Sequence, residues 1–347
     1  MKSLSVKYRP ETFEDVVEQG ITTKILNKAV EVGRFKHAYL FAGPSGCGKT
    51  TLARIFARRI NNVTDPDEKG YEELDAASNN GVDQVRALID DSKTRSLLYE
   101  YKIYIIDECH MITTQGWNAF LKEIEEPSDF TIYIFCTTEP NKVPPQIQNR
   151  VQRYNLSRIS YTGIYNRLVD ICRKEGFTDY EATCDFISKL AQGGMRDAIT
   201  LLDQRSDLST NLNIEETRAL FGDLSYESMI RLTNYLIERK EPEVLSFIEN
   251  LFNRGYDLKG FINSYLECLI DINKYALLRD INLTSIPSYL QAIDDQYLNI
   301  NYLISIPNAV NYFNALADKI MQLKILIKND TNYKSTIEVM LLNICRG

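Results

Sequence analysis

The sequence lacks the segments that mark membrane and secreted proteins. No apolar run among its 347 residues is long enough to cross a bilayer. The first seven residues, MKSLSVK, also lack the apolar stretch of a secretory signal. We therefore expect the protein to work in the cytoplasm, or in the host cytoplasm if a virus encodes it, without a membrane partner.

Paired cysteines and an excess of positive charge are missing too. The seven cysteines are scattered and none forms a CxxC pair, which is typical of reduced thiols and argues against a disulfide framework or a zinc knuckle. The net charge of −7 argues against a protein that coats nucleic acid, because such proteins usually carry a basic excess. Any contact with DNA must therefore be local.

The hydrophobic pattern divides the chain into three parts. Short apolar runs alternate with amphipathic segments between about residues 36 and 140, strand signals fade after about 157, and amphipathic helices follow from about 210. We predict an α/β core at 1–156, a small helical segment at 157–209 and a larger helical domain at 210–347.

Three apolar runs predict β-strands at 38–41, 103–106 and 131–135. The runs are continuously apolar, which indicates strands that are buried on both faces. Because helical segments separate them, we expect a parallel sheet with crossover connections.

A phosphate-binding loop follows the first predicted strand and precedes a predicted helix. It reads Gly43-Pro44-Ser45-Gly46-Cys47-Gly48-Lys49-Thr50, which matches the P-loop pattern in the right context. The glycines let backbone N–H groups surround phosphate oxygens, Lys49 reaches the β- and γ-phosphates, and Thr50 binds Mg²⁺. A plain glycine-rich turn is the weaker interpretation.

A pair of carboxylates ends the second predicted strand. We expect Asp107 to hold Mg²⁺ through water and Glu108 to polarise the attacking water. Alone, such a pair more often caps a helix, but downstream of a P-loop it indicates an ATPase. We interpret the nearby His110 as a packing residue rather than a metal ligand.

Several segments together resemble the AAA+ clamp-loader ATPases, most closely the gamma/tau motor subunits of the bacterial DNA polymerase III clamp loader. The resemblance is close up to about residue 205 and less specific beyond it. It is carried, besides the P-loop, by Lys7-Tyr8-Arg9-Pro10, 13–17, 37–41, 73–78, 107–111, 118–122, 125–127 and 193–198.

This resemblance implies a five-stranded parallel sheet flanked by helices, a helical lid at 157–209 and an all-α collar for oligomerisation at 210–347. It places the adenine against the segment that contains Tyr8, Arg9, Pro10 and Val17, and it adds Thr51 to the phosphate site. Thr138 is similar to the sensor that positions the attacking water, and Arg196 to the second sensor, which contacts the γ-phosphate.

Arg150 is similar to the arginine with which the family reaches the ATP site of a neighbouring subunit. Such a residue neutralises charge on the transferred phosphoryl group. The surrounding tripeptide is Asn149-Arg150-Val151, whereas the family usually has Ser-Arg-Cys.

The chain departs from the family pattern at two further places. The bacterial subunit inserts a zinc module after the P-loop helix, where this chain has only Asn61 to Gly70, so we predict no zinc. Glu18 stands where a glycine usually precedes Gln19. The chain also resembles the short form of the motor subunit, since it stops at Gly347.

The resemblance implies an ATP- and Mg²⁺-dependent motor that opens a sliding clamp and places it on primer-template DNA, which triggers hydrolysis. Its expected partners are other clamp-loader subunits, the clamp and the DNA. Together with those subunits it is expected to form a pentamer, either a homo-oligomer or a hetero-oligomer. Our candidates for DNA contact are Arg86, Lys93 and Arg95, together with the helix starts predicted near Asn80 and Thr114, although solvated helix faces look the same in sequence.

Two other functions use part of the same pattern. Another AAA+ remodeller, such as a helicase loader or branch-migration motor, would share the nucleotide site. A structural clamp-loader subunit would need neither the intact Lys49-Thr50 pair nor Asp107-Glu108.

Overall fold

The computed structural model describes residues 3–65, 68–78, 81–221, 226–253, 255–278 and 308–347. The chain forms two compact units, Met1–Ile214 and Glu215–Gly347. The predicted division at 156/157 and at 209/210 stays a prediction.

The described residues of the first unit contain a five-stranded parallel sheet, in the order β2-β3-β4-β1-β5. The three predicted strands are confirmed, and the two edge strands β2 and β5 are added to them. The strands are β1 (Ala38–Ala42), β2 (Glu72–Asp75), β3 (Lys102–Asp107), β4 (Thr131–Thr137) and β5 (Gln152–Asn155).

Helices connect these strands and continue beyond the sheet. Two short 3-10 helices, Cys109–Met111 and Pro140–Lys142, follow β3 and β4. The α-helices of this unit are α1 (Leu4–Lys7), α2 (Gly20–Val32), α3 (Lys49–Ile60), α4 (Val82–Ser92), α5 (Thr114–Glu125), α6 (Pro145–Gln148), α7 (Tyr161–Glu175), α8 (Glu181–Leu190) and α9 (Met195–Ser206).

Each face of the sheet packs against its own layer of helices, because successive side chains of a strand point to opposite faces. On one face Phe41 belongs to a buried cluster with Phe56 of α3. On the other face Phe135 packs against Trp117 of α5, with ring centroids 5.3 Å apart. The two layers fix the sheet, and its parallel strands bring the carboxyl ends of β1, β3 and β4 to one edge.

The described residues of the second unit form helices, as predicted. Its buried cluster runs from Met229 to Cys345. Where the structure describes this unit, the helices are α10 (Ile214–Phe221), which begins at the boundary, α11 (Tyr226–Ile237), α12 (Glu241–Asn253), α13 (Leu258–Leu278), α14 (Ala309–Ile327) and α15 (Tyr333–Arg346). Within the described ranges, no helix has both the length and the apolar character of a membrane span.

Candidate nucleotide-binding site

The phosphate-binding loop connects β1 to α3, and its glycines are required by its shape. Gly46 and Gly48 have φ angles of +72° and +101°, which only glycine adopts without strain. A Cβ atom on Gly46 would lie 2.8 Å from Cα of Gly194. The loop is also joined to the start of α9, because the N–H of Met195 donates to the carbonyl of Gly46 at 3.1 Å.

Lys49 is buried within this loop. Its ammonium group donates to the carbonyl oxygens of Gly43 and Pro44 at 3.0 and 2.9 Å. A cation held there, beside the backbone N–H groups at the start of α3, makes the loop attractive to phosphate.

Thr50 and Asp107 supply adjacent oxygen atoms. The Thr50 hydroxyl donates to Oδ2 of Asp107 at 2.8 Å, and burial raises the pKa of the Asp107 carboxyl. Hard oxygen atoms of this kind fit Mg²⁺, which usually binds one or two protein ligands together with phosphates and water. The described part of the chain holds no cluster of three or more His, Cys, Asp or Glu side chains that could bind a metal alone. The residues therefore fit a magnesium ion that arrives with a nucleotide.

Glu108 follows Asp107 at the end of β3, in the left-handed region with φ +45°. Its Oε2 atom accepts a hydrogen bond from the Thr138 hydroxyl at 3.1 Å. The structure thus joins two residues that are 30 positions apart in the chain and that the sequence assigned to one catalytic step. Their roles in that step stay predictions.

One cleft of the first unit gathers most of the predicted residues. Its walls come from the N-terminal segment, the phosphate loop, the end of β3, and helices α7 and α9. The predicted residues that line it are Tyr8, Arg9, Pro10, Val17, Ser45, Gly46, Cys47, Gly48, Lys49, Thr50, Thr51, Asp107, Glu108 and Arg196.

Val16 also lines the cleft, within the segment from Tyr8 to Val17 that was expected to hold the adenine. Other lining residues were missed by the sequence analysis: Ser5, Arg54, Ile159, Arg167, Met195 and Ile199. Arg54 lies one helical turn after Thr50 on α3, and this spacing could have placed it near the site. Arg167 gives no such signal, because it reaches the cleft only through the packing of α7 against the N-terminal segment.

The N-terminal wall of the cleft is tied to α7. Arg167 donates to the carbonyl oxygen of Tyr8 at 2.8 Å, and Glu175 accepts hydrogen bonds from the Tyr8 hydroxyl and, at 2.6 Å, from Lys7. Burial and the hydrogen bond to Glu175 raise the pKa of Tyr8 to about 12. The N-terminal segment that is expected to hold the adenine is therefore fixed to α7.

Arg150 lies outside this cleft. It is partly exposed, its Nη2 pairs with Oε1 of Glu125 at 2.6 Å, and its Nη1 donates to the carbonyl oxygen of Gln146 at 2.9 Å. An arginine in this position does not line the nucleotide cleft of its own chain.

The candidate DNA contacts lie on and after α4 and at the start of α5. Lys93 pairs with Asp90 at 2.7 Å, and the guanidinium of Arg95 lies 4.8 Å from the ring centroid of Phe130. Arg86 and Thr114 are exposed. The helix start that the sequence placed near Asn80 falls at Val82, and Asn80 itself lies outside the described residues.

The sheet order, the phosphate loop after β1 and the carboxylates at the end of β3 define a P-loop nucleotide-binding protein of the AAA+ class. Family models for the DNA polymerase III delta subunit and for the ATPase lid domain of the DNA polymerase III clamp loader subunit match residues 18–160 and 163–205. The gamma subunit of Buchnera aphidicola DNA polymerase III is 30% identical over 80% of each chain. The chain belongs to the family of DNA polymerase III gamma and tau subunits.

Other relatives are longer than this chain. The tau subunit of Bacillus subtilis DNA polymerase III is 38% identical over 77% of this chain and 51% of its own length. The gamma/tau subunit of Mycobacterium tuberculosis is 34% identical, again over 77% of this chain and 50% of its own length. The chain thus spans about half the length of these relatives.

Among solved structures, Thermotoga maritima RuvB, a Holliday junction branch migration motor, matches with a TM-score of 0.51 and 18% identity. The match covers 65% of this chain and 78% of the RuvB chain. At this identity the likeness shows the fold alone, and that fold is the AAA+ fold that the sequence predicted.

Proposed function

We propose that this chain is an ATP-hydrolysing motor subunit of a DNA sliding-clamp loader that works in the cytoplasm. The observation that carries the proposal is the division of the predicted residues: Lys49, Thr50, Asp107 and Arg196 line one cleft, whereas Arg150 lies outside it. Family membership supports a role in a clamp loader, and the residues of the cleft support ATP hydrolysis.

Within the cleft, Lys49 and the loop N–H groups bind the phosphates, and Thr50 and Asp107 hold Mg²⁺. Glu108, oriented by Thr138, accepts hydrogen from the attacking water. Arg196 is the second residue of α9, and the N–H of Met195 before it is bonded to the phosphate loop, so Arg196 is well placed to respond to the γ-phosphate. The proposal includes ATP and Mg²⁺ and no zinc.

Arg150 acts in trans in this proposal. Because Arg150 lies outside its own cleft, an ATP phosphate that it contacts must belong to another subunit, and hydrolysis that uses this contact depends on assembly. We therefore propose an oligomer of five alike or different clamp-loader subunits, with residues 157–209 as the lid and 210–347 as the collar that holds the subunits together.

We assign the clamp contact to Leu97 and Leu98, in the loop between α4 and β3. Leu97 is fully exposed and Leu98 is 83% exposed. Two adjacent leucines in water are an unfavourable arrangement for an isolated chain, and a protein partner removes that cost. Arg86 on the neighbouring helix α4 is our first candidate for DNA contact.

The proposal is tested by steady-state ATP hydrolysis of the purified assembly, with and without clamp and primer-template DNA. We expect strong joint stimulation, and a loss of about 10³-fold or more in Arg150→Ala, as for other arginine fingers. Arg153→Ala is the matched control, since Arg153 is an exposed arginine bonded to Asn155 and Gln148. Equal rates in all conditions would instead favour another AAA+ remodeller, and absence of hydrolysis would favour a structural subunit.

A further inference from the structure

His110 has a more specific environment than its interpretation as a packing residue predicts. It lies in the 3-10 helix that follows Glu108, and its side chain is 9% exposed. Its Nδ1 atom is 3.2 Å from Oε2 of Glu108 and 3.2 Å from the hydroxyl oxygen of Thr137. Its Nε2 atom is 3.5 Å from Oε1 of Glu139.

The contact between Nδ1 and the Glu108 carboxylate is a hydrogen bond when Nδ1 carries a hydrogen. An ionised carboxylate only accepts hydrogen, whereas a hydroxyl both donates and accepts. A hydrogen on Nδ1 can therefore be shared between the Glu108 carboxylate and the Thr137 hydroxyl. The Thr137 oxygen also accepts the N–H of Glu139 at 3.0 Å, so the ring is held by the end of β4.

Two side chains meet the same oxygen of Glu108. The Thr138 hydroxyl and Nδ1 of His110 lie 3.1 and 3.2 Å from Oε2. A glutamate on a surface turn has several accessible rotamers, and two polar groups on one oxygen select among them. Oε1 is then the oxygen that can be directed to a water molecule.

We infer that His110 is a positioning residue for the catalytic base: together with Thr138 it holds Oε2 of Glu108, so that Oε1 faces the attacking water. This inference rests on the proposed ATPase function. His110 does not itself exchange a proton with the reactants. Its contribution is to keep the base within hydrogen-bond reach of the nucleophile, which general-base catalysis requires.

The test separates the polar contact from simple packing. His110→Phe keeps a ring of similar size without a donor, and His110→Asn keeps a donor close to the position of Nδ1 with less volume. We expect kcat of the stimulated assembly to fall about tenfold or more in the Phe variant, a part of the 10²- to 10⁴-fold that a general base contributes. The Asn variant should recover most of that loss, while KM and the Kd for a fluorescent ATP analogue stay unchanged in both.

A double-mutant cycle with Thr138→Ala adds a second readout. Because both groups act on one oxygen, the combined loss in kcat should be smaller than the product of the single losses. Met111→Ala, at an exposed side chain of the same 3-10 helix, is the control and should leave kcat unchanged.

The outcomes distinguish this inference from the function on which it rests. If His110→Phe has the wild-type kcat, or if kcat falls in His110→Asn and not in His110→Phe, His110 only fills space. The inference would then be wrong, although the proposed ATPase function would stand. A wild-type assembly that does not hydrolyse ATP would instead remove the proposed function itself. Circular dichroism of each variant checks that the fold is retained.

Discussion

Glu18 accepts two hydrogen bonds from Ser160, one from the backbone N–H at 3.0 Å and one from the hydroxyl. Glu18 itself has φ +60°, a conformation that favours glycine. Ser160 caps α7 by accepting the N–H of Gly163 at 3.0 Å. The link thus joins the N-terminal part of the core to the start of the helices after the sheet, at the cost of a strained residue.

The hydrogen bonds and the backbone strain of Glu18 together predict which of two Glu18 variants is the more stable. Glu18→Ala loses both hydrogen bonds and keeps the positive φ, whereas Glu18→Gly loses the bonds but relieves the strain. Since a residue strained in this way costs about 1 kcal/mol or more, we expect Glu18→Ala to be less stable than Glu18→Gly by about 1 kcal/mol. Urea unfolding measures this difference, and an alanine variant as stable as the glycine variant would contradict it.

The bond between Thr50 and Asp107 predicts a requirement for the hydroxyl. Thr50→Ala removes an oxygen that we assign to Mg²⁺, and we expect hydrolysis to fall about 100-fold, the size found when one group that stabilises transition-state charge is lost. Thr50→Ser keeps the hydroxyl, so its rate of hydrolysis should stay within about tenfold of the wild-type rate. The measurement is the Mg²⁺ dependence of kcat, and similar losses in both variants would argue against the metal role.

The exposed leucines predict a defect that is limited to clamp binding. Leu97→Ser with Leu98→Ser should weaken stimulation by the clamp and leave ATP binding unchanged, because neither residue lines the cleft. Burying two leucines is worth about 3 kcal/mol or more in total, so we expect affinity for the clamp to fall about 100-fold. Val32→Ser on α2, where Val32 is also exposed, is the control. Undiminished clamp affinity in the double variant would place the contact elsewhere.

Arg86 predicts a change in the salt dependence of DNA binding. Lys93 and Arg95 are already engaged by Asp90 and Phe130, whereas the Arg86 side chain is exposed on α4. If Arg86 contacts a phosphate, Arg86→Ala should reduce the slope of log K against log salt by about 1 and weaken binding equally across sequences. An unchanged slope would remove Arg86 from the candidates. Lys28→Ala, at an exposed lysine of α2, serves as the comparison.

Local pattern predicted the centre of the sheet better than its edges. The runs that became β1, β3 and β4 are apolar along their whole length because both of their faces are buried. β2 reads Glu-Glu-Leu-Asp and is largely exposed at the edge of the sheet, so hydrophobicity carried no signal for it. Its place depends on pairing with β3, from Glu72 opposite Tyr104 to Asp75 opposite Asp107.

The sequence by itself determined the phosphate loop from Gly43 to Thr50 and the Asp107-Glu108 pair. Each is a contiguous segment whose chemistry depends on a local turn or on the end of a strand. Such a pattern can be recognised from the order of the residues alone. The tertiary structure decided the contact of His110 with Glu108, the link from Glu18 to Ser160, and the position of Arg150 outside the cleft. These depend on how separate segments pack, and side chains far apart in the chain meet only when the sheet and its helices bring them within hydrogen-bond distance.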